Sequence, residues 1–400
     1  MKNTLTKIFA LILALLTFVS VFSACNNEEP EDETEAETYD GTTDFDYISE
    51  DLSEYVTLSP DAYKNNKVTL GTEFLITDEI VQEQIDKERF DNKVKANGGA
   101  PVTDQPIKLG DSAFIYYTGY LDGKTFEGGS NASDKYSHEL SIGSNSFIPG
   151  FEEGLIGVIP GQTSADNPVS LNLKFPADYG SADLAGKDVV FKVWVEYTIQ
   201  YTIPEFNDDY VKTVLKYDGT AEEYRANAKK ALQEIATANA EAEAVAAVVS
   251  KLMGEATIHK YPEQSVAYWY GKYVEQYEYY MQMYAMYGYS FKSLDEFVPL
   301  YLNLKEGEDW KEKTTELAKE MVKSSLVYHA IAKQQNFSVT DEEFAERAKE
   351  LAEYYSTEQK TYTVEEIIKE IGEGQIRQNI LFDEVEKFLL DNCTIEYKDK

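Results

Sequence analysis

Hydrophobic and polar positions follow two different periods, one before and one after Pro204. Between about Ile107 and Thr198, apolar residues alternate with polar ones in short runs separated by glycine turns, which predicts β-strands. After Pro204 the apolar positions recur at helical spacing. The pattern therefore predicts an α+β protein in which a β-rich domain is followed by an all-helical domain.

The strand prediction rests on three alternating runs, Ala113–Tyr117, Val169–Leu173 and Val189–Val195. An Asp-Gly pair at 122–123 follows the first run, and such a pair between two strands favours a two-residue hairpin turn.

Helix starts are marked by capping boxes, in which Ser or Thr is followed three residues later by Glu. The boxes are Thr220–Glu223, Ser293–Glu296, Thr340–Glu343 and Thr363–Glu366. The predicted helices include one ending near Met253, one from about Pro262 to Gly288 and one from about Trp310 to Gln334. An earlier helix is predicted to begin at Thr77.

Residues 1–24 have the pattern of a signal peptide. Two lysines precede an apolar run from Ile8 to Phe22, which is shorter than a membrane span needs. The run ends in Phe22-Ser-Ala-Cys25, which resembles a lipobox with Phe22 in place of the usual leucine. The resemblance implies lipidation of Cys25 and a chain anchored to the cell membrane on its extracytoplasmic side. Ordinary secretion with a chance cysteine is the alternative.

Residues 25–52 are rich in Glu and Asp and contain no Lys or Arg. Such a segment buries too little apolar area to offset the entropy of ordering it, so it predicts a disordered acidic tether. Residues 53–104 are predicted to form an N-terminal segment that packs on the helical body.

The formal net charge is −35. A surface this acidic repels phosphate backbones, so nucleic acid and the ribosome are excluded as expected partners. The same charge keeps a protein that handles adhesive clients soluble, although acidity is also common among exported bacterial proteins. Of the two cysteines, Cys393 is left alone if Cys25 is lipidated, so no internal disulfide is expected.

A series of motifs in the β-rich part resembles FKBP-type peptidyl-prolyl isomerases over residues 105–200. The motifs are Tyr116-Tyr-Thr-Gly119, Thr125-Phe-Glu-Gly-Gly129, Ile148-Pro-Gly-Phe-Glu-Glu153, Phe175-Pro-Ala-Asp-Tyr-Gly180, Leu184-Ala-Gly-Lys187 and Val190-Phe191. Their versions are most similar to the isomerase domain of trigger factor. The resemblance implies a half-barrel of antiparallel strands wrapped on a short helix near Phe151–Leu155, with the substrate proline between sheet and helix.

The resemblance also implies the residues of the site. Carried over position by position, they are Tyr117, Phe126, Glu127, Phe147, Ile148, Phe151, Tyr179 and Phe191. Glu127 stands where many family members have Asp. His138 stands where an aromatic residue is usual, and Tyr136, within a short insertion, is a candidate for the missing ring.

Rotation about an X-Pro bond breaks amide resonance, a barrier of roughly 18–20 kcal/mol, but cleaves no bond. Such a site needs no nucleophile, metal or cofactor, and it accelerates rotation if it binds the twisted amide better than the planar one. The N–H of Ile148 and the hydroxyl of Tyr179 are predicted to orient the peptide.

The order of an isomerase domain followed by helices resembles trigger factor from Gln105 nearly to the C-terminus. The resemblance implies that residues 201–400 form a helical chaperone domain for unfolded clients, in a form lacking the ribosome-binding domain. The predicted helix 262–288 is crowded with Tyr and Met. Tyrosines on every side of a helix cannot all enter one core, so this helix is either a client surface or part of the core of the body.

We therefore predict an exported isomerase and holdase whose partners are unfolded polypeptides with X-Pro bonds. A non-catalytic chaperone with a vestigial pocket is the first alternative. A solute-binding lipoprotein needs two α/β lobes, which a β block followed by a helical block does not provide. A surface adhesin is the remaining alternative.

Overall fold

The computed structural model describes residues 46–398 apart from 49, 306, 358 and 359. The predicted signal peptide, Cys25 and most of the predicted tether lie outside the described residues. The strands are β1 Val56–Thr57, β2 Asn66–Leu70, β3 Val94–Lys95, β4 Pro101–Val102, β5 Ser112–Leu121, β6 Lys124–Ser130, β7 His138–Ser141, β8 Val169–Lys174, β9 Asp188–Ile199, β10 Tyr201–Thr202, β11 Thr257–Ile258 and β12 Cys393–Tyr397.

The α-helices are α1 Asp78–Asp91, α2 Asp208–Thr213, α3 Ala221–Glu255, α4 Glu263–Met286, α5 Leu294–Tyr301, α6 Trp310–Gln335, α7 Asp341–Tyr355, α8 Val364–Ile371 and α9 Glu373–Asp391. In the part of the chain that the structure describes, none of them is both long enough and apolar enough to cross a bilayer. A β-rich part followed by helices is the α+β order predicted from the sequence, so that prediction is confirmed.

The chain divides into two compact units. Residues 76–232 form one, here called the sheet unit, while the described residues up to Leu75 and from Gln233 onward form the other, here called the helical unit. The predicted single segment 53–104 is therefore divided at Leu75. In its first part, β1 and β2 pair with β11 and β12 of the helical unit, and Leu58 and Tyr63 are buried among its helices. In contrast, β3 and β4 pair with β10 and β9 of the sheet unit. Similarly, residues 201–232 belong to the sheet unit and not to the predicted helical domain.

The main sheet has the order β4-β9-β5-β6, with β7 on β5 and β8 on β9, and every pair is antiparallel. Alternation along β9 points Phe191, Val193 and Val195 to one face, where they are buried with Ile115 of β5. The core of the sheet unit forms on this face.

Two local predictions in the sheet unit have different outcomes. The pair at 122–123 forms the predicted turn between β5 and β6, with positive φ at both residues as a type I′ turn requires. The predicted helix at Phe151–Leu155 is only a 3₁₀ turn over Glu153–Leu155. Gly150 has φ of 90°, and Ile156 is already extended, so the backbone leaves room for one turn.

Capping explains where the helices begin. The Thr340 and Thr363 boxes form with both reciprocal bonds, and Thr220 and Glu223 bond in the same way. The predicted box at Ser293 does not form, because the Glu296 carboxylate accepts from the N–H of Lys292 and the Ser293 hydroxyl makes no capping bond.

A parallel pair ties the two ends of the helical unit together. Strand β12 pairs with β2 from Cys393 opposite Asn66 to Tyr397 opposite Leu70. The core beside it contains Tyr63, Leu252 and Ile331.

The end of the predicted tether is ordered, which corrects its boundary at residue 52. Tyr47 is 3% exposed, its ring stacks on His329 at 4.7 Å, and its hydroxyl hydrogen-bonds to Ser265 at 2.7 Å. Leu52 is also buried in the same core. Aromatic and aliphatic side chains near the end of an acidic run are sufficient to dock it.

Candidate functional site

A cavity of about 340 Å³ opens between the main sheet and the loops that contain residues 146–149 and 175–179. Aromatic and aliphatic side chains converge on it from β5, β6, β9 and two loops. Its lining residues are Tyr117, Phe126, Gly128, Gly129, Ser146, Phe147, Ile148, Pro149, Phe175, Pro176, Tyr179 and Phe191. The structure thus brings together six of the eight residues predicted for the site; their roles stay predictions.

Phe151 lies beneath the cavity and does not line it. Its side chain is fully buried, and its ring lies 4.4 Å from that of Phe147 and 5.2 Å from that of Phe191. Tyr117 meets it edge to face at 6.1 Å. Phe151 therefore fixes the orientation of three lining rings.

Glu127 is exposed on β6 and is not among the residues that line the cavity, and its role in the site stays a prediction. The side chain alternates away from Phe126, as neighbours on a strand must. His138 is exposed on β7 with its ring 5.5 Å from Phe147. Tyr136 is 72% exposed and lies outside the lining, so it does not supply the ring that His138 replaces.

Phe175 is a lining residue that sequence reasoning missed. Its ring contacts Tyr179 at 4.7 Å and Phe126 at 6.0 Å. The sequence contained a signal for it, because Phe175 is the first residue of the motif that also contains Tyr179, a predicted site residue.

Tyr117 is held by Asn131, which is buried. The Asn131 side-chain oxygen accepts from the N–H of Tyr117 at 2.7 Å, and its NH₂ donates to the carbonyl of Ile115 at 3.1 Å. These bonds brace β5 where its register with β6 shifts. Burial, with a smaller effect of Asp134, raises the pKa of Tyr117, so its hydroxyl stays protonated at neutral pH.

Two polar groups at the cavity remain available to a ligand. Within the described residues, neither the N–H of Ile148 nor the hydroxyl of Tyr179 has a hydrogen-bond partner, and both residues line the cavity. A peptide carbonyl is an acceptor that either group can bind. No set of three or more His, Cys, Asp or Glu side chains is arranged to hold a metal in residues 46–398 as described.

A larger cleft of about 710 Å³ lies at the ends of β5, β8 and β9 and shares only Pro149 with the aromatic cavity. Asp122, Lys174 and Asp188 lie on its rim, and Tyr120 is the one aromatic residue in its lining. It lacks converging rings, so we place the candidate site in the smaller cavity.

The Tyr-rich helix α4 divides between core and surface. Tyr277 is 1% exposed and packs with Phe297 and Trp310. The C-terminal end of α4 and the neighbouring α5 instead present large exposed side chains, here called the aromatic tip. The aromatic tip comprises Tyr284, Met286, Tyr287, Tyr289, Leu300 and Tyr301.

Comparisons with known proteins match both units. Residues 103–200 match the family model of FKBP-type peptidyl-prolyl cis-trans isomerase, and residues 220–391 match that of the bacterial trigger factor protein C-terminus.

Three relatives illustrate the match along the chain. Trigger factor of Limosilactobacillus reuteri (strain DSM 20016) is 36% identical over 256 residues, 64% of this chain and 55% of the relative. Trigger factor of Clostridioides difficile (strain 630) is 32% identical over 294 residues, 74% of this chain and 64% of the relative. Trigger factor of Thermoanaerobacter sp. (strain X514) is 30% identical over 331 residues, 82% of this chain and 70% of the relative.

The chain thus spans 55% and 64% of the length of the first two of these relatives. A solved structure from work on promiscuous substrate recognition by the trigger factor chaperone overlays with a TM-score of 0.41 at 18% identity, covering 84% of this chain and 72% of that one. Because the Thermoanaerobacter relative is 30% identical with 70% of its length covered, the chain belongs to the trigger factor family and contains an FKBP-type domain.

Proposed function

We propose that this protein catalyses cis-trans isomerisation of X-Pro bonds in unfolded polypeptides and holds those polypeptides while they fold. The observation that carries the catalytic part is the aromatic cavity, which is walled by rings and lined by Ile148, whose N–H is free, and Tyr179, whose hydroxyl is free.

The cavity suits the chemistry of amide rotation. As the X-Pro amide twists, resonance is lost and the carbonyl becomes less polar, so the twisted form loses less hydration on entering an apolar site than the planar form does. The rings of Phe126, Phe191 and Tyr117 provide that apolar site. A hydrogen bond from Ile148 or Tyr179 fixes one carbonyl while the other side of the bond rotates.

An exchange assay on residues 26–400 tests the catalytic part. We expect faster cis-trans exchange of a proline peptide, and a loss of at least about tenfold in kcat/KM for Phe191→Ala and Tyr179→Ala, since either change enlarges the cavity and the second also removes a donor. The control is Tyr136→Ala, which removes an exposed ring outside the cavity and should leave exchange unchanged. No acceleration by the unmodified chain would favour the non-catalytic alternative.

The holding function rests on the aromatic tip. Tyr offers an apolar ring with a polar end and Met adapts its shape, so such a surface accepts varied apolar segments. An exposed cluster of this kind is unusual on a surface without a binding role. We expect Met286→Ser combined with Tyr287→Ser to reduce suppression of client aggregation. The control is Tyr354→Ser, which replaces an exposed tyrosine on α7 that is not part of the aromatic tip and should retain full suppression.

We also propose that the protein is exported and anchored through lipid on Cys25, at the outer face of the cytoplasmic membrane. The support is the charged, apolar and Cys-containing order of residues 1–25. Its clients are then exported polypeptides, and the net charge of −35 argues against ribosomal RNA as a partner. Cys25→Ser should move the protein from the membrane fraction to the medium or soluble fraction. Retention of Cys25→Ser in the membrane fraction would contradict the anchor.

A further inference from the structure

The loop at 143–148 supplies one wall of the aromatic cavity. It carries Phe147, a lining ring, and Ile148, whose N–H is free. Gly143 has φ of 96° and Asn145 has φ of 56°, so the loop holds two residues in the left-handed region. Such a backbone needs support from outside the loop, since left-handed residues other than glycine are disfavoured.

That support comes from one side chain, Glu152, which is 3% exposed. One carboxylate oxygen accepts from the N–H of Gly143 at 2.7 Å and of Asn145 at 3.1 Å. The other accepts from the N–H of Ser146 at 2.8 Å and of Phe147 at 3.3 Å.

Two hydroxyl groups complete the set. The same oxygen that binds Ser146 and Phe147 through their N–H groups also accepts from the hydroxyls of Ser144 at 3.2 Å and of Ser146 at 3.3 Å. Every residue from Gly143 to Phe147 is thus attached to a single carboxylate.

Electrostatics favours the ionised form of this carboxyl. Burial alone would raise the pKa of Glu152, but the N–H groups of the loop outweigh it and hold the pKa below its ordinary value. An ionised carboxylate has two acceptor oxygens with about four lone-pair sites, enough for the four N–H groups of the loop, whereas an amide has only one acceptor atom and brings two donors of its own.

We propose that Glu152 is a positioning residue for isomerisation, one that touches no substrate but sets the placement of Phe147 and the Ile148 N–H at the cavity. This role rests on the proposed isomerase function. Because Phe151 precedes Glu152 and packs under Phe147 and Phe191, the same short stretch fixes the floor and the wall of the cavity. The wall must keep its place while the amide twists, and displacement of about 1 Å in such a site costs on the order of 100-fold in rate.

The test compares Glu152→Gln with Glu153→Gln in the full chain. Glu153 is the adjacent, exposed residue and accepts one bond, from the N–H of Gly150 at 3.1 Å, so its substitution makes the same charge change without releasing the loop. Exchange kinetics with a Phe-Pro peptide give kcat and KM, and amide hydrogen exchange reports on the loop.

We expect Glu152→Gln to lower kcat by about 10- to 100-fold. We also expect KM to change by less than about threefold, because the lining rings are all retained, and the amides of Gly143, Asn145, Ser146 and Phe147 to exchange faster. Glu153→Gln should match the unmodified protein. A wild-type kcat in a folded Glu152→Gln would overturn the positioning role, as would a change confined to KM.

Should Glu152→Gln fail to fold, Glu152→Asp decides the question. It keeps the charge but is one methylene shorter, so it cannot reach all the loop donors. A kcat lower than that of the unmodified protein supports the role, and an unchanged kcat overturns it. An unmodified chain without any acceleration would refute the isomerase function itself, which separates the two failures.

Discussion

Replacing Glu386 with Gln should stabilise the helical unit at alkaline pH. Glu386 lies on α9, and its carboxylate accepts a hydrogen bond from the hydroxyl of Tyr328 at 2.7 Å. Burial raises the pKa of Glu386 to about 7, with Asp383 adding to the effect and the Tyr328 bond opposing it. The folded protein therefore holds a proton that the unfolded chain, with a carboxyl pKa of 4.5, releases.

The magnitude follows from that difference in pKa. Below about pH 4.5 both states bind the proton and Glu386 costs no stability. Between about pH 4.5 and 7 the unfolded chain releases the proton while the folded state keeps it. At about 1.4 kcal/mol for each tenfold difference in proton affinity, the loss grows to roughly 3 kcal/mol by about pH 7 and stays at that value at pH 8. At pH 5 the loss is only about 1 kcal/mol by the same relation.

Glu386→Gln keeps an oxygen that accepts from Tyr328 and removes the charge. It should therefore raise the free energy of unfolding by about 3 kcal/mol at pH 8 and by about 1 kcal/mol or less at pH 5. The assay is urea unfolding followed by tryptophan fluorescence in a Trp194→Phe background. Trp269 and Trp310, both in the helical unit, then report alone.

The control is Glu346→Gln, an exposed residue of α7, which makes the same charge change without removing a buried carboxyl. Its free energy of unfolding should follow that of the unmodified protein at both pH values. If Glu386→Gln is equally destabilised, or equally stabilised, at pH 5 and pH 8, the carboxyl does not titrate as a buried group and the reasoning fails.

Two further substitutions test the cavity and the docked end of the tether. A Cβ at Gly119 would lie 2.8 Å from the rings of Phe126 and Phe191, so Gly119→Ala should lower the free energy of unfolding by about 1–3 kcal/mol and reduce isomerase activity. Gly180→Ala is the control and should be neutral, because no atom lies within 4 Å of the added Cβ. Equal behaviour of the two variants would contradict this packing. Tyr47→Ala should lower the free energy of unfolding by about 3 kcal/mol, and Tyr47→Phe, which keeps the ring and loses only the hydroxyl, by about 1 kcal/mol. An unchanged stability of Tyr47→Ala would show that the segment around Tyr47 does not pack on the helical unit.

Features set by local chemistry could be predicted from the sequence. The turn at 122–123 needs two residues with positive φ, and Asp-Gly is a pair that tolerates this, so the hairpin could be predicted from the sequence. The helix starts at Thr340 and Thr363 depend on residues three apart and form as predicted. The start at Ser293 has the same spacing, but the neighbouring N–H of Lys292 competes for Glu296, and that competition has no sequence signature.

Features set by distant contacts could not be predicted. The pairing of β2 with β12 joins residues at opposite ends of the chain, and neither strand alone indicates its partner. From the sequence, Tyr47 was predicted to be part of an acidic tether, because its neighbours are acidic. In the structure its ring stacks on His329 and its hydroxyl hydrogen-bonds to Ser265, two residues that are distant in the sequence.

The candidate site shows the same division. The order of the motifs identified six of the twelve lining residues, but it could not show that Phe151 would lie below the cavity and Glu127 outside it. The support that Glu152 gives to the loop also depends on a backbone shape that emerges only in three dimensions. The composition of α4 indicated either core packing or a client surface. The structure shows both in different parts of the helix, since Tyr277 is buried and Met286, at the C-terminal end, is 81% exposed.

The most direct test of the proposed isomerase activity is magnetisation exchange between the cis and trans forms of a Phe-Pro peptide, measured with residues 26–400. We expect exchange that grows with protein concentration, perturbed resonances of Tyr179 and Ile148, and loss of both effects in Phe191→Ala. Exchange at the uncatalysed rate, or catalysed exchange that Phe191→Ala leaves intact, would contradict it.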